Sequence, residues 1–120
     1  MYYIGIDISK FKHDCAVIDD FGEIVTPSWS FTNDSEGFSQ LKLLLDSLDA
    51  ETRIGLESTG HYGMNLKLFL ESNNFSFMEF NPLLINRFVK SKSLRKTKSD
   101  SIDCVMIAHY LMTVEYKPYP

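Results

Sequence analysis

The sequence predicts a mixed α/β domain built around one five-stranded sheet. Three apolar segments within residues 2–31 are rich in aromatic and β-branched residues, and their connections are too short for a helix, which favours an antiparallel meander. After residue 33 the apolar residues recur at helical spacing, and these helical segments alternate with two further short strands. A chain of 120 residues suits one domain of this kind.

The first three strands are predicted at residues 2–8, 14–19 and 23–31. The turn Asp20-Phe21-Gly22 separates the second strand from the third. Pro27 lies inside the third predicted strand. Because proline cannot donate a hydrogen bond to a sheet, that strand should lie at an edge or contain a bulge.

The second half of the chain is predicted to alternate helices and strands. A helix-start signal at residues 33–36 opens the first helix. We expect the strands that follow helices to run parallel to the first strand. The remaining predicted elements are a strand at 53–57, a helix from 58 to 73, a strand at 76–80, a short helix at 81–89 and a last helix from Ser99 and Asp100 to about residue 112.

The composition excludes several classes of protein. Hydrophobic residues make up 44% of the chain, which is enough for a packed core and excludes disorder for most of it. No apolar run has the roughly 18 residues of a membrane span, and the first residues lack the basic start of a signal peptide. Cys15 and Cys104 lie in apolar contexts, so we expect buried free thiols in a cytoplasmic protein, without a zinc site.

One segment is strongly basic, although the net charge of the chain is −4. Six of the twelve lysines and arginines fall within residues 87–98, where no acid lies. Such a segment is either a solvated loop or an arm that binds an anion such as the nucleic-acid backbone. The candidate nucleic-acid-binding residues are Arg87, Lys90, Lys92, Arg95, Lys96 and Lys98.

Two carboxylates are predicted at the ends of parallel strands. Asp7 is near the end of the first strand, although strands disfavour aspartate, and Glu57 ends the fourth. In an open sheet the carboxyl ends of parallel strands form the ligand-binding edge, which would bring these two acids together. The alternative interpretation is local: Asp7 begins a turn, and Glu57 favours the start of a helix.

Asp100 and Asp103 form a second acidic pair. Their spacing of three predicts that both lie on one face of the last helix, towards the sheet. The alternative is a helix-capping arrangement with Asp100 as the N-cap. Four carboxylates at one edge would repel one another strongly unless some stay protonated or a cation joins them, and oxygen-only ligands favour Mg²⁺ or Mn²⁺. The candidate metal-binding and catalytic residues, for chemistry on a phosphodiester, are therefore Asp7, Glu57, Asp100 and Asp103.

Four short motifs in this order resemble a known protein family. They resemble the RNase H-like superfamily, its RuvC-like domains and, more closely, the DEDD transposase family of bacterial insertion sequences (the insertion-sequence one-ten group, related to the Piv DNA invertase). Ser99 and Cys104 depart from the family's threonine and alanine, and neither changes an acid. The motifs are Ile4-Gly5-Ile6-Asp7-Ile8-Ser9-Lys10, Glu57-Ser58-Thr59-Gly60-His61-Tyr62, Asn81-Pro82 and Lys98-Ser99-Asp100-Ser101-Ile102-Asp103-Cys104.

The resemblance implies a RuvC-like domain over residues 1–113 in which the four candidate acids bind Mg²⁺ or Mn²⁺. It implies cleavage and transfer of DNA strands at insertion-sequence ends and targets, guided by a structured bridge RNA, in the bacterial cytoplasm at the nucleoid. It also implies that residues 114–120 lead to an absent C-terminal domain carrying a nucleophilic serine. The full-length protein would be a homo-oligomer without membrane contact.

Other functions stay open at this point. Gly5-Ile6-Asp7 also resembles the phosphate loop of sugar kinases and actin-like ATPases, but Ser9 replaces the glycine that this loop needs. A stand-alone junction resolvase or nuclease would use the same four acids. In a non-catalytic module that docks nucleic acid, the acids would be vestigial or a structural clip. In a plain α/β domain they would be caps and turns.

The remaining polar and aromatic candidates are interpreted as structural. His13, His61 and His109 are predicted on the surface, in the hairpin, the first turn of the second helix and the last helix. Tyr116 and Tyr119 are interpreted as remnants of packing against an absent region.

Overall fold

A computed structural model describes residues 1–57, 60–91 and 103–118. Within these ranges no helix combines the length and the hydrophobicity needed to cross a bilayer. The elements, in chain order, are β1 (Tyr2–Asp7), β2 (Lys12–Asp19), β3 (Ile24–Thr32), α1 (Ser35–Ser47), β4 (Thr52–Glu57), a 3₁₀ helix (Gly60–Gly63), α2 (Met64–Ser72), β5 (Met78–Phe80), α3 (Pro82–Ser91) and α4 (Cys104–Thr113).

The five strands form one mixed sheet in the order β3-β2-β1-β4-β5. β1 pairs antiparallel with β2 and parallel with β4, β2 pairs antiparallel with β3, and β4 pairs parallel with β5. This confirms the predicted meander followed by helix-connected parallel strands, and it is the arrangement of an RNase H-like fold. The register between β2 and β3 shifts between Cys15 and Val17, opposite the stretch that contains Pro27, so the third strand is both an edge strand and bulged.

Helices cover both faces of the sheet. On one face, alternate residues of β1 and β4 join the buried leucines of α1 and α2 in a core that contains Ile6, Leu41, Leu56 and Leu66. On the other face, α3 and α4 pack in a second, smaller core that includes Ile107. Because strand residues alternate between the faces, the residues between those of the first core point towards α4.

Two paired glycines let α4 approach the sheet closely. A Cβ at Gly5 would overlap the carbonyl oxygen of Cys104 and lie 2.6 Å from the amide nitrogen of Ala108. Gly55 lies opposite Gly5 in the parallel register, and a Cβ there would lie 2.7 Å from the Phe80 ring. The absence of a side chain at Gly5 places the first turn of α4 directly against β1, and its absence at Gly55 leaves room for the Phe80 ring.

The last helix starts later than the sequence predicts. Asp103 has extended backbone angles, φ −111° and ψ 174°, and is the N-cap of α4, which begins at Cys104. The expectation that Asp100 and Asp103 share one face of a continuous helix is therefore wrong, because Asp103 precedes the helix. Asp100 lies outside the described residues.

The prediction that His13 lies on the surface is also wrong. His13 is fully buried, its Nδ1 accepts a hydrogen bond from the Ser9 amide at 3.2 Å, and its Nε2 lies 3.0 Å from Asn33 Oδ1. Desolvation lowers the pKa of His13, which favours the neutral ring with its proton on Nε2. By contrast, His61 is exposed as predicted, and His109 is partly covered.

Tyr116 packs against this domain. Its hydroxyl lies 2.8 Å from Ser76 Oγ, and the Arg53 guanidinium lies 5.1 Å from its ring centroid. Tyr119 lies outside the described residues. Cys15 and Cys104 are buried free thiols, as predicted.

Candidate active site

Two acids end neighbouring parallel strands at the same edge of the sheet. Ile6 pairs with Leu56 in the β1–β4 register, so Asp7 and Glu57, one residue further along each strand, lie at the same level. Adjacent strands are about 4.8 Å apart. Both acids alternate with residues of the first core and therefore project from the face that α4 covers. This register accounts for the predicted proximity of Asp7 and Glu57.

A third acid, Asp14, extends this row in the other direction. Asp14 lies directly opposite Asp7 in the antiparallel β1–β2 register, and its Oδ1 accepts a hydrogen bond from Ser30 Oγ at 2.5 Å. The row therefore runs Asp14, Asp7, Glu57 across β2, β1 and β4. Sequence reasoning missed Asp14 as a site residue. The signal was available in the hairpin itself, because the pairing of Tyr2 with Asp19 places Asp7 opposite Asp14.

Asp103 approaches the row from the helix layer. Its Oδ1 accepts a hydrogen bond from the Met106 amide at 2.9 Å, which caps α4. Because Gly5 lets the first turn of α4 lie against β1, this cap sits near the carboxyl end of that strand. Asp103 is therefore the N-cap of α4. The alternative interpretation of the sequence assigned that role to Asp100.

The electrostatics of Asp7 reflect this crowding. Burial, followed by the negative charges of Glu57, Asp14 and Asp103, raises the pKa of Asp7 to about 6. All three neighbouring carboxylates are therefore close enough to oppose ionisation of Asp7. A carboxylate destabilised in this way marks a position where a bound cation would be favourable.

The donor chemistry of the site fits a hard divalent cation. Asp7, Glu57 and Asp103 offer oxygen ligands, which Mg²⁺ and Mn²⁺ prefer. As they stand, the residues in the described part of the chain include no group of three or more His, Cys, Asp or Glu placed to hold a metal ion. The fourth candidate, Asp100, lies outside that part, so the full set of four acids is not tested by the structure.

The basic candidates are only partly described. Arg87 and Lys90 are exposed on α3, and their spacing of three places them on one side of that helix. α3 follows β5, whose Phe80 pairs with Glu57, so the helix starts at the edge that carries the acids. The other four candidates, Lys92, Arg95, Lys96 and Lys98, lie outside the described residues.

The strand order and the acids at the ends of β1 and β4 define the chain as an RNase H-like α/β domain with a candidate acidic site. Comparison with known families gives the particular family. The family model of the IS110 DEDD transposases, described as a transposase, matches residues 4–120. The chain belongs to this family.

Similar proteins are consistent with this membership. The pilin gene-inverting proteins of Moraxella bovis and Moraxella lacunata are each 32% identical over 111 residues, which is 90% of this chain and 33% of each relative. A protein of the IS117 mini-circle of Streptomyces coelicolor is 28% identical over 115 residues, 92% of this chain and 27% of its own length. The chain therefore spans about a third of the length of the curated relatives it matches.

One solved structure shows a partial likeness. The ethanolamine utilization protein EutJ from Carboxydothermus hydrogenoformans superposes with a TM-score of 0.46 at 13% identity, covering 75% of this chain and 40% of that one.

Proposed function

We propose that this chain is the acid-bearing domain of a transposase or recombinase that cleaves and transfers DNA strands with a divalent metal ion. Asp7, Glu57, Asp100 and Asp103 would hold Mg²⁺ or Mn²⁺. The observation that carries the proposal is the crowding at Asp7, whose pKa is raised to about 6 by burial and by three neighbouring carboxylates. Such a group is a poor structural anchor but a good cation ligand.

The row of acids explains why a cation would bind. Two carboxylates about 4 Å apart repel by roughly 4 kcal/mol at an effective dielectric of 20. Asp7 is the centre of the row, with Asp14 on one side and Glu57 on the other, so it gains most from neutralisation. When bound, divalent ions supply the Lewis acidity that activates a water or hydroxyl and neutralises the leaving oxygen of a phosphodiester.

The division of labour among the residues follows their positions. Asp7 and Glu57 are fixed by paired strands and would keep their spacing through a reaction. The Asp103 carboxylate is hydrogen-bonded to the Met106 amide of α4, so any shift of that helix would move this carboxylate relative to Asp7 and Glu57. Ser30 donates to one oxygen of Asp14, which holds that carboxylate in β2.

The partners of the proposed reaction are nucleic acids. The names of the Moraxella relatives describe inversion of a gene, which is a rearrangement of DNA. We propose that the basic residues from Arg87 to Lys98 contact phosphates of the DNA, and that a structured bridge RNA guides the choice of target. The reaction would take place at the bacterial nucleoid, in a homo-oligomer of the full-length protein.

Thermal unfolding tests the metal site. We expect Mg²⁺ or Mn²⁺ to raise the Tm of the wild-type chain by several degrees at 100 times the dissociation constant, because the ion binds the folded state. Asp7→Asn should abolish the rise, whereas Asp46→Asn, which changes an exposed acid of α1, should leave it intact. An equal response of Asp7→Asn and wild type would contradict the proposal.

A non-catalytic docking module is the second candidate. It is favoured by the cap that Asp103 makes on α4 and by the lack of a three-residue metal cluster among residues 1–57, 60–91 and 103–118. In that case Asp7→Asn would change neither the affinity for DNA nor any cleavage of it. Metal-dependent cleavage of a four-way junction by this chain alone would instead indicate a stand-alone resolvase.

A further inference from the structure

The loop between β1 and β2 presents an exposed aromatic side chain at the edge that carries the acids. Phe11 is 76% exposed, although phenylalanine is commonly buried. We propose that Phe11 is a stacking platform for an unpaired base of single-stranded nucleic acid, with Lys10 and Lys12 contacting the flanking phosphates. This inference deepens the proposed function, on which it rests, by naming the substrate form that reaches the acids.

The position of the loop follows from the hairpin. β1 ends at Asp7 and β2 begins at Lys12, so residues 8–11 extend beyond the carboxyl end of β1. Glu57 ends the neighbouring parallel strand at the same edge. A nucleotide stacked on Phe11 would therefore lie at the same end of the sheet as the row of acids.

Asn33 holds the backbone of this loop in place. Its backbone N–H donates to the Phe11 carbonyl at 2.9 Å, and its side-chain Nδ2 donates to the Lys10 carbonyl at 3.2 Å. Lys10 and Phe11, two of the three residues that would bind the nucleotide, are thus anchored through their carbonyls while their side chains stay exposed.

His13 and Ser9 anchor the other side of the loop. The Ser9 amide donates to Nδ1 of the buried His13, and the Ser9 hydroxyl donates to the Lys12 carbonyl. An aromatic side chain on a hydrogen-bonded backbone loses less conformational entropy on binding than one on a flexible loop. The β1–β2 loop is therefore preorganised for stacking.

The two residues adjacent to Phe11 are lysines, which favour an anionic partner. Lys10 Nζ lies 5.1 Å from the centroid of the Phe11 ring, and Lys12, the residue that follows Phe11, is exposed. Among the ion pairs of the described residues, no acid engages either lysine. Aromatic rings flanked by lysines are typical of surfaces that bind single strands, where bases stack and phosphates meet cations.

Phe21 provides a matched contrast within the same sheet. It is 88% exposed in the β2–β3 turn, at the opposite end of β2 from Phe11. Asp19 and Asp20 precede it and Glu23 follows, so its surroundings are acidic and would repel phosphates. Exposure alone therefore does not distinguish the two rings; the sign of the neighbouring charge does.

Oligonucleotide binding tests the inference. We would measure the fluorescence anisotropy of labelled 12-nucleotide oligodeoxyuridylate and oligouridylate, which differ only in the 2′-hydroxyl, with the 120-residue chain in EDTA. Phe11→Ala should weaken binding of the preferred strand about 5- to 100-fold, as loss of one stacked base does. Phe11→Trp should retain the affinity, and Phe21→Ala should match wild type. Preference for one oligonucleotide identifies the strand as DNA or RNA.

A second readout reports stacking directly. In Phe11→Trp the added indole should be quenched when the oligonucleotide binds, whereas in Phe21→Trp the added indole should not. The inference is overturned if wild type binds neither oligonucleotide, if Phe11→Ala binds as wild type does, or if both alanine variants lose affinity equally.

The two proposals can fail separately. Stacking on Phe11 needs no metal ion, so it should persist in an Asp7→Asn background with EDTA present. Persistent quenching, together with a wild-type Tm that does not respond to Mg²⁺ or Mn²⁺, would support the stacking site and reject the metal site. A metal-dependent rise in the wild-type Tm without quenching in Phe11→Trp would support the metal site and reject the stacking site.

Discussion

The two faces of the central strands serve different purposes, although the same strands form both. On β1, Ile4 and Ile6 enter the core under α1 and α2, while Gly5 and Asp7 face α4. β4 repeats the pattern with Ile54, Leu56, Gly55 and Glu57. On one face these two strands carry buried apolar side chains, and on the other face each carries a glycine followed by an acid. Consecutive residues of one strand should therefore respond to substitution in different directions.

The largest effect should come from the packed face. Ile6 is fully buried, so Ile6→Ala should lower the free energy of unfolding by about 2–5 kcal/mol, since it removes apolar contacts and leaves a cavity. Urea denaturation in EDTA measures the loss. Ile24→Ala is the matched control, because Ile24 is 55% exposed and its truncation should stay within about 0.5 kcal/mol. Similar losses for both variants would contradict the assignment of the core face.

The next largest loss of stability should come from the glycines on the face that α4 covers. Gly5→Ala should destabilise the chain by about 1–3 kcal/mol or more, because the new Cβ would overlap the backbone of α4 at Cys104. Gly55→Ala meets the Phe80 ring, a side chain that can shift, so its loss in the same urea titration should be smaller. If Gly55→Ala were the more damaging of the two, the close approach of α4 to β1 would be in doubt.

The periodicity of apolar residues was sufficient to predict the order of the strands and helices. It did not predict features that depend on the three-dimensional surroundings of a residue. The start of α4 was misplaced because Asp100 and Asp103 are equally good capping residues and local sequence does not choose between them. His13 was expected on the surface because its partner Asn33 lies 20 residues away. At the site, Asp7 and Glu57 could be paired from strand order alone, while Asp14 required the hairpin register.

The charged face should respond to substitution in the opposite direction, and with a pH dependence. The pKa of Asp7 is raised to about 6, so folding opposes its ionisation and the wild-type chain loses stability as the pH rises from about 4 through 6. Asp7→Asn removes this penalty. It should be more stable than wild type by about 1–2 kcal/mol at pH 7.5 without metal, which is less than the roughly 3 kcal/mol of the full pKa shift because Asp7 is only partly buried and solvent screens its neighbours. At pH 4 the difference should be small.

Urea denaturation at pH 4 and pH 7.5 in EDTA measures this difference. Asp46→Asn, on the exposed side of α1, should show no comparable change with pH. A stability gap that is the same at both pH values would mean that Asp7 does not ionise within the crowded row. Saturating Mg²⁺ should reverse the order, because only wild type would bind it.

The smallest effect should come from the member of the row that sequence reasoning missed. Asp14→Asn removes a negative charge opposite Asp7 but leaves Glu57 and Asp103 in place, and Glu57 acts on Asp7 more strongly. The pKa of Asp7, followed by carboxyl NMR in EDTA, should therefore fall in Asp14→Asn, and fall further in Glu57→Gln. Because the amide can still accept from Ser30, the β2–β3 contact should survive, which separates charge from packing. An unchanged pKa of Asp7 in Asp14→Asn would place Asp14 outside the electrostatic unit and reduce the row to Asp7, Glu57 and the helix cap.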